Sequence, residues 1–151
     1  MAPRPGFQPS VIYRDPRAAM RWLEKAFGFE VALYIEGDDG SFIHCQMLYG
    51  DDLISIGQRW DEDFASPLDV GGKNTQLTSI QITSDIDAHC ERARAAGAVI
   101  VTEPATQFYG DRTYRCRDPE GHNWSVGQSV EEVSREQALA RVEGMRITGW
   151  V

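Results

Sequence analysis

The spacing of apolar residues changes period several times along the chain, and each change marks an element. Residues 7–14 read as a first strand, with Pro9 near its start, where a missing donor is tolerated. Asp15-Pro16 then supplies an N-cap and a first helical position. Ala19, Trp22, Leu23, Ala26 and Phe27 recur at three and four, so a helix is predicted to about Phe27, with Gly28 as its stop. Residues 29–36 form a second strand, closed by the turn Gly37-Asp38-Asp39-Gly40. Residues 41–48 alternate, with Ile43, Cys45 and Met47 on one side and Phe42, His44 and Gln46 on the other. After Gly50-Asp51-Asp52 the strand 53–57 completes a β-α-β-β-β half, residues 7–57.

Residues 58–76 have no period and read as a long connecting loop, a length that is usually functional or linking. The order then repeats over 77–128. A strand covers 77–83. A helix runs from Asp85 through Ala96, with Ile86, Cys90 and Ala93 inward, and ends at Gly97. A strand covers 98–102, and residues 104–110 read as a loop. The two helices end alike, AFGFEV and AAGAVI, which points to an internal repeat of the whole unit. Over residues 111–128 the chain reads strand, turn, strand. Asp118-Pro119-Glu120-Gly121 carries the turn chemistry. Parity puts Tyr114, Cys116, Trp124 and Val126 toward the core, and Thr113, Arg115, Arg117 and Ser125 toward a cavity. A tail, 129–151, opens with the capping box Ser129-x-x-Glu132, predicting a surface helix over 130–143 that ends at Gly144. The first six residues, with Pro3 and Pro5, read as an irregular lead-in.

Composition narrows the class. A chain of 151 residues with 42% hydrophobic and 25% charged side chains is a single α+β domain of ordinary globular make-up. A formal charge of −8 and a pI near 4.8 argue against nucleic acid or an anionic membrane as partner, and no apolar run approaches a membrane span. The start has no apolar signal region, and Cys45, Cys90 and Cys116 are odd in number without CxxC spacing. Both features suit buried, reduced thiols in a cytoplasmic protein. No phosphate loop, dinucleotide fingerprint or spaced nucleophile-base pair is present.

Two βαβββ units, AFGF at the first helix end and YGDRTYRCRDPEGHNW in the last hairpin resemble the glyoxalase/bleomycin-resistance/dioxygenase family, the vicinal oxygen chelate superfamily. Within it the similarity is to the PhnB-like or bleomycin-resistance-like branch that lacks the metal site. The resemblance covers about 7–128. It implies paired modules curling into an open, cup-shaped mixed eight-stranded sheet, usually completed in a homodimer. Metal-dependent members hold an ion with His/Gln and Glu from each module. Carried over by position, those ligands fall on Gln8, Ser55, Thr78 or a neighbour, and Ser125. One amide and three hydroxyls do not bind zinc, nickel, manganese or iron, so the expectation is no metal and no cofactor.

Against that frame, His44 and Gln46 are candidates to touch a ligand from the polar face of the third strand. Arg115 and Arg117 share the face of Thr113, where an arginine can hold a carboxylate or phosphate bidentately or form a salt bridge with one of the chain's 23 acids. Trp60 and Phe64 in one loop, and Phe108 and Tyr109 in another, would rim the cup and stack on flat compounds. His122 reads as a structural hydrogen bond in its turn or as plainly exposed, and His89 as a surface or subunit contact. The resulting expectation is metal-free binding of a small organic molecule, cationic or aromatic and drug-like, the net charge favouring a cation. The contact set is Gln8, His44, Gln46, Trp60, Tyr109, Thr113, Arg115 and Ser125. The rivals are a metal-dependent lyase, isomerase or dioxygenase of the glyoxalase type, and a structural dimer whose cup is filled by side chains.

Overall fold

In the computed structural model, which describes residues 6–150, eight strands divide into two four-stranded mixed sheets of the same topology. The lead-in expected over residues 1–6 falls outside the described residues except at Gly6, as does the final Val151. The first sheet has the order β1-β4-β3-β2, built from Ser10–Tyr13, Asp52–Gln58, Phe42–Tyr49 and Glu30–Glu36. The second has the order β5-β8-β7-β6, from Thr78–Ile82, Asn123–Ser129, Asp111–Arg117 and Val99–Thr106. In each sheet one pair is parallel, β1 with β4 and β5 with β8, and the other ladders are antiparallel. The parallel pair is the one that needs a crossover, and a helix supplies it in both modules.

Helix α1, Pro16–Phe27, starts on Asp15, whose carboxylate accepts from the Ala18 amide, and stops at Gly28 in the left-handed region (φ +81°). Helix α2, Ile86–Ala95, is capped the same way by Asp85. The apolar stripe of α1 (Ala19, Trp22, Leu23, Ala26 and Phe27) is buried. The two helices pack on each other and each covers its own sheet, so one core serves both modules. Tyr13, Leu23, Phe27, Met47, Ile56, Tyr114, Trp124 and Val126 are its fully buried centre. The opposite face of each sheet is left open.

Three expectations need correcting. Strand β6 runs on through Pro104 to Thr106 instead of yielding to a loop at 104. It is an edge strand, so the missing N–H costs no ladder bond, and a register shift at Thr102/Ala105 absorbs the proline. In β3 the ends of the alternation invert: Phe42 is buried and Ile43 exposed, because Ile43 is the extra residue of a bulge opposite Ile35 and Glu36. The C-terminal helix α3 is only Arg135–Ala140, and its capping box is Ser134 with Gln137, not Ser129 with Glu132. The amides of Val130 and Glu131 are bound to the Gly110 carbonyl, which holds that stretch extended past the point where the helix was expected to begin.

Candidate functional site

The open face of the first sheet is built from alternate residues of four strands. Ser55 and Gly57 on β4 stand opposite Ser10 and Ile12 on β1. On the other side Gln46 pairs with Ser55, and Leu33 and Ile35 of β2 lie across from Gln46 and His44. Gln8 Nε2 donates to Ser55 Oγ at 2.9 Å, so Gln8, Ser55 and Gln46 form one polar cluster flanked by apolar side chains. The Trp60 ring lies over Gly57: a Cβ there would meet it at 3.1 Å. Phe64 sits edge-on to Trp60 at 4.9 Å. Beside this pair a cavity of about 380 Å³ opens between the loop and β1, lined by Ser10, Ile12, Phe64, Val70, Lys73 and His122. Another, of about 410 Å³, joins Phe7, Pro9 and Leu53 to Ser79 and Gln81 of the second module.

The second open face is polar. Thr113, Arg115 and Arg117 of β7 stand opposite Gly127, Ser125 and Asn123 of β8, and Ser79 pairs with Ser125 on the other side. Arg115 and Arg117 are exposed. Thr113 Oγ1 accepts from Gln107 Nε2 at 3.0 Å. Tyr109 stands apart from these residues. It lies in the turn before β7, edge-on to Phe108, and lines a cleft of about 660 Å³ with Asp111, Glu132, Val133 and Trp150 of the returning tail.

Between the modules, the DPEGH turn is a structural hub. Asp118 is buried, and its Oδ2 accepts from Tyr13 at 2.6 Å and from Trp124 Nε1 at 3.1 Å. Its Oδ1 accepts from the Glu120 and His122 amides. Burial, and then the Asp118 charge, pushes the Tyr13 phenol far above its ordinary value, so it stays a donor. His122 is buried and donates Nε2–H to the Ile12 carbonyl at 2.7 Å, which selects the structural hydrogen bond over plain exposure. The long loop is fastened to the same turn by Glu120, which binds Ser66 Oγ and the Arg14 amide, and by Asn74. The loop therefore presents Trp60 and Phe64 from an anchored base.

His89 is half-buried, with one side of its ring packed inward. Its ring stacks on Phe27 at 5.5 Å and Nδ1 lies 2.7 Å from Tyr114 Oη. The helical spacing placed it beside Cys90 but carried no sign of the partner helix above it. Burial pushes the Cys116 thiol up to about 12 and those of Cys45 and Cys90 up to about 11, so none is a ready nucleophile.

The four positions implied for a metal do not fit one. Register settles the fifth strand: Ser79, not Thr78, shares the open face with Ser125, and Thr78 pairs with Trp124 on the core side. By the symmetry that sets Gln8 two residues before Ser10, the matching position is Leu77. Among the described residues no three of His, Cys, Asp and Glu converge as an ion-binding group.

Comparisons place this architecture. An uncharacterized protein of Mycobacterium bovis is 32% identical over 140 residues, covering 90% of this chain and 91% of its own. The structure of TioX from Micromonospora sp. ML1 matches with a TM-score of 0.67 and 28% identity, over 84% of this chain and all of that one. TnmS3 from Streptomyces sp. CB03234, described as an antibiotic binding protein, matches with a TM-score of 0.64 and 20% identity, over 85% and 98%. The model of the Glyoxalase/Bleomycin resistance protein/Dioxygenase superfamily matches residues 8–126, and the chain belongs to that superfamily.

Proposed function

We propose that this protein binds a small, flat, aromatic organic molecule without a metal, holding it rather than transforming it, and that it does so as a cytoplasmic homodimer. The observation that carries the reading is the Gln8–Ser55 hydrogen bond. The first module fills the implied ligand positions with an amide and a hydroxyl that satisfy each other. Three things support it further. Trp60 and Phe64 present aromatic surface at the edge of the first open face. The two cavities beside it exceed the roughly 300 Å³ at which ligand pockets begin. And a structural neighbour of the same fold is described as binding an antibiotic. The dimer reading rests on exposed apolar residues of β2 (Val31, Leu33 and Ile35) and of β6 (Val99 and Val101). Open edges and apolar patches of this kind are normally covered.

Dialysed protein titrated with bleomycin-type and flat heteroaromatic compounds is the test. A binder at a hundred times its Kd raises Tm by about 5–10 °C and quenches Trp60 fluorescence. Silence across the whole panel removes the reading. Elemental analysis separates the rival: one tightly held metal per chain, lost in His44→Ala, would favour the glyoxalase-type enzyme.

A further inference from the structure

The second open face carries two cations that the fold does not use. Arg115 and Arg117 lie two residues apart on β7, so their backbones are separated by about 7 Å on one side of the sheet, within the ~8 Å screening length of physiological salt. They repel each other, and neither side chain has a hydrogen bond or ion pair among the described residues. That is unexpected in a chain with 23 acids against 15 bases. The carboxylates around these strands are engaged elsewhere. Glu103 binds Arg94, Asp87 binds Arg112, Asp118 holds Tyr13 and Trp124, and Glu120 holds the Arg14 amide. Along β7 the carboxylate on the same face is Asp111, four residues from Arg115 and about 13 Å along the strand. The neighbours of the two arginines are uncharged: Ser125 and Asn123 on β8, and Thr102 on β6, whose hydroxyl accepts from the Arg115 amide.

We propose that the aromatic ligand carries an anionic oxygen group, such as a carboxylate or sulfonate, and that Arg115 with Arg117 receives it on the open face of the second sheet. This rests on the aromatic-ligand reading and adds the charge of the ligand to it. The net charge of −8 acts at a distance on whatever approaches. At contact, the two guanidinium groups set the sign. A guanidinium forks onto two oxygens and also stacks on a ring, so one strand face offers both contacts to a flat acid.

The experiment compares anthraquinone-2-sulfonate with uncharged 2-methylanthraquinone by tryptophan quenching, at low and at physiological salt. Wild type is expected to bind the sulfonate about tenfold more tightly, from a charge-assisted contact of ordinary strength. Arg115→Gln narrows the ratio and the Arg115→Gln/Arg117→Gln pair brings it to unity. Arg21→Gln, on helix α1, leaves it unchanged. Equal binding of both quinones by wild type overturns this inference and leaves the aromatic-ligand reading standing. No binding of either compound removes both. A ratio unmoved in the double variant, with its dimer weakened in sedimentation, would mean that the arginines face a partner's acids, and overturns the inference as well.

Discussion

The two modules meet at two joints built on the same frame and finished differently. Each helix is capped by the seventh residue of the other. Trp22 Nε1 donates to the Ala96 carbonyl at the end of α2, and Arg92 donates to the Glu24 and Lys25 carbonyls at the end of α1. Beyond the caps the symmetry fails. Counting from the paired residues Cys116–Trp124 and Met47–Ile54, the hairpin turn of the second module has seven residues (117–123) and that of the first has six (48–53). Asp118 in one stands where Tyr49 stands in the other. The longer turn reaches β1 and closes its joint with the Asp118 network. The shorter one leaves a cleft of about 430 Å³ bordered by Tyr49, Gln81, Thr83, His89 and Arg92. A repeated fold fixes where a joint lies, while the chemistry of one turn residue decides whether it is sealed.

The largest difference is expected from near-isosteric changes at the paired positions. Asp118→Asn removes the charge from a buried acceptor of four donors and turns an N–H toward at least one of them. Its cost is about 2–4 kcal/mol of folding stability. Tyr49→Phe removes a hydroxyl with no bond among the described residues and should stay within about 0.5 kcal/mol. Urea unfolding of both variants measures this. Comparable losses would mean that the open joint is closed by something that binds Tyr49.

The reciprocal caps give a finer test. Trp22→Phe leaves a C-terminal carbonyl unpaired at a half-buried site and costs about 1 kcal/mol, at any ionic strength. Arg92→Met removes an exposed cation from a helix C-terminus, a smaller effect that shrinks as salt is added. Repeating the unfolding curves at low salt and at 1 M salt separates them. If both respond to salt alike, the two caps are electrostatically equivalent and the asymmetry lies in the turns alone.

How much of this was legible in the chain follows from the range of each interaction. Asp15, Gly28 and the 3–4 stripe of α1 are local signals, and they placed that helix to the residue. Parity placed Thr113, Arg115, Arg117 and Ser125 together on one face of the last hairpin, because a turn with Gly121 at φ +91° leaves little freedom of register. Register between distant strands is not local. Thr78 and Ser79 both read as open-face candidates until pairing with β8 chose between them. The C-terminal helix was misplaced because two S-x-x-(E/Q) boxes lie five residues apart, and only the Gly110 carbonyl, twenty residues upstream, selects the second. The expected rim also came apart. Trp60 lies against Gly57 on the first open face, whereas Tyr109 serves the cleft by the tail.

The smallest effect concerns the charge state of the open joint. His89 Nε2 is buried and, among the described residues, makes no hydrogen bond of good geometry. Burial, and then the Arg92 charge, lowers its pKa from the ordinary histidine value, while the Phe27 carbonyl pulls weakly the other way. A histidine with a depressed pKa in the folded state binds fewer protons there than in the unfolded chain. Its contribution is therefore full above the unfolded value near 6.5 and is lost as pH falls through it toward the lower folded value. The slope of unfolding free energy against pH between 7.5 and 5.5 should be shallower in His89→Gln than in wild type. The Asp118 joint is unchanged in that variant, so the difference between the slopes isolates the open one. Superimposable slopes would mean that His89 takes up its proton as easily folded as unfolded, and that water reaches farther into this joint than its packing against Phe27 and Tyr114 allows.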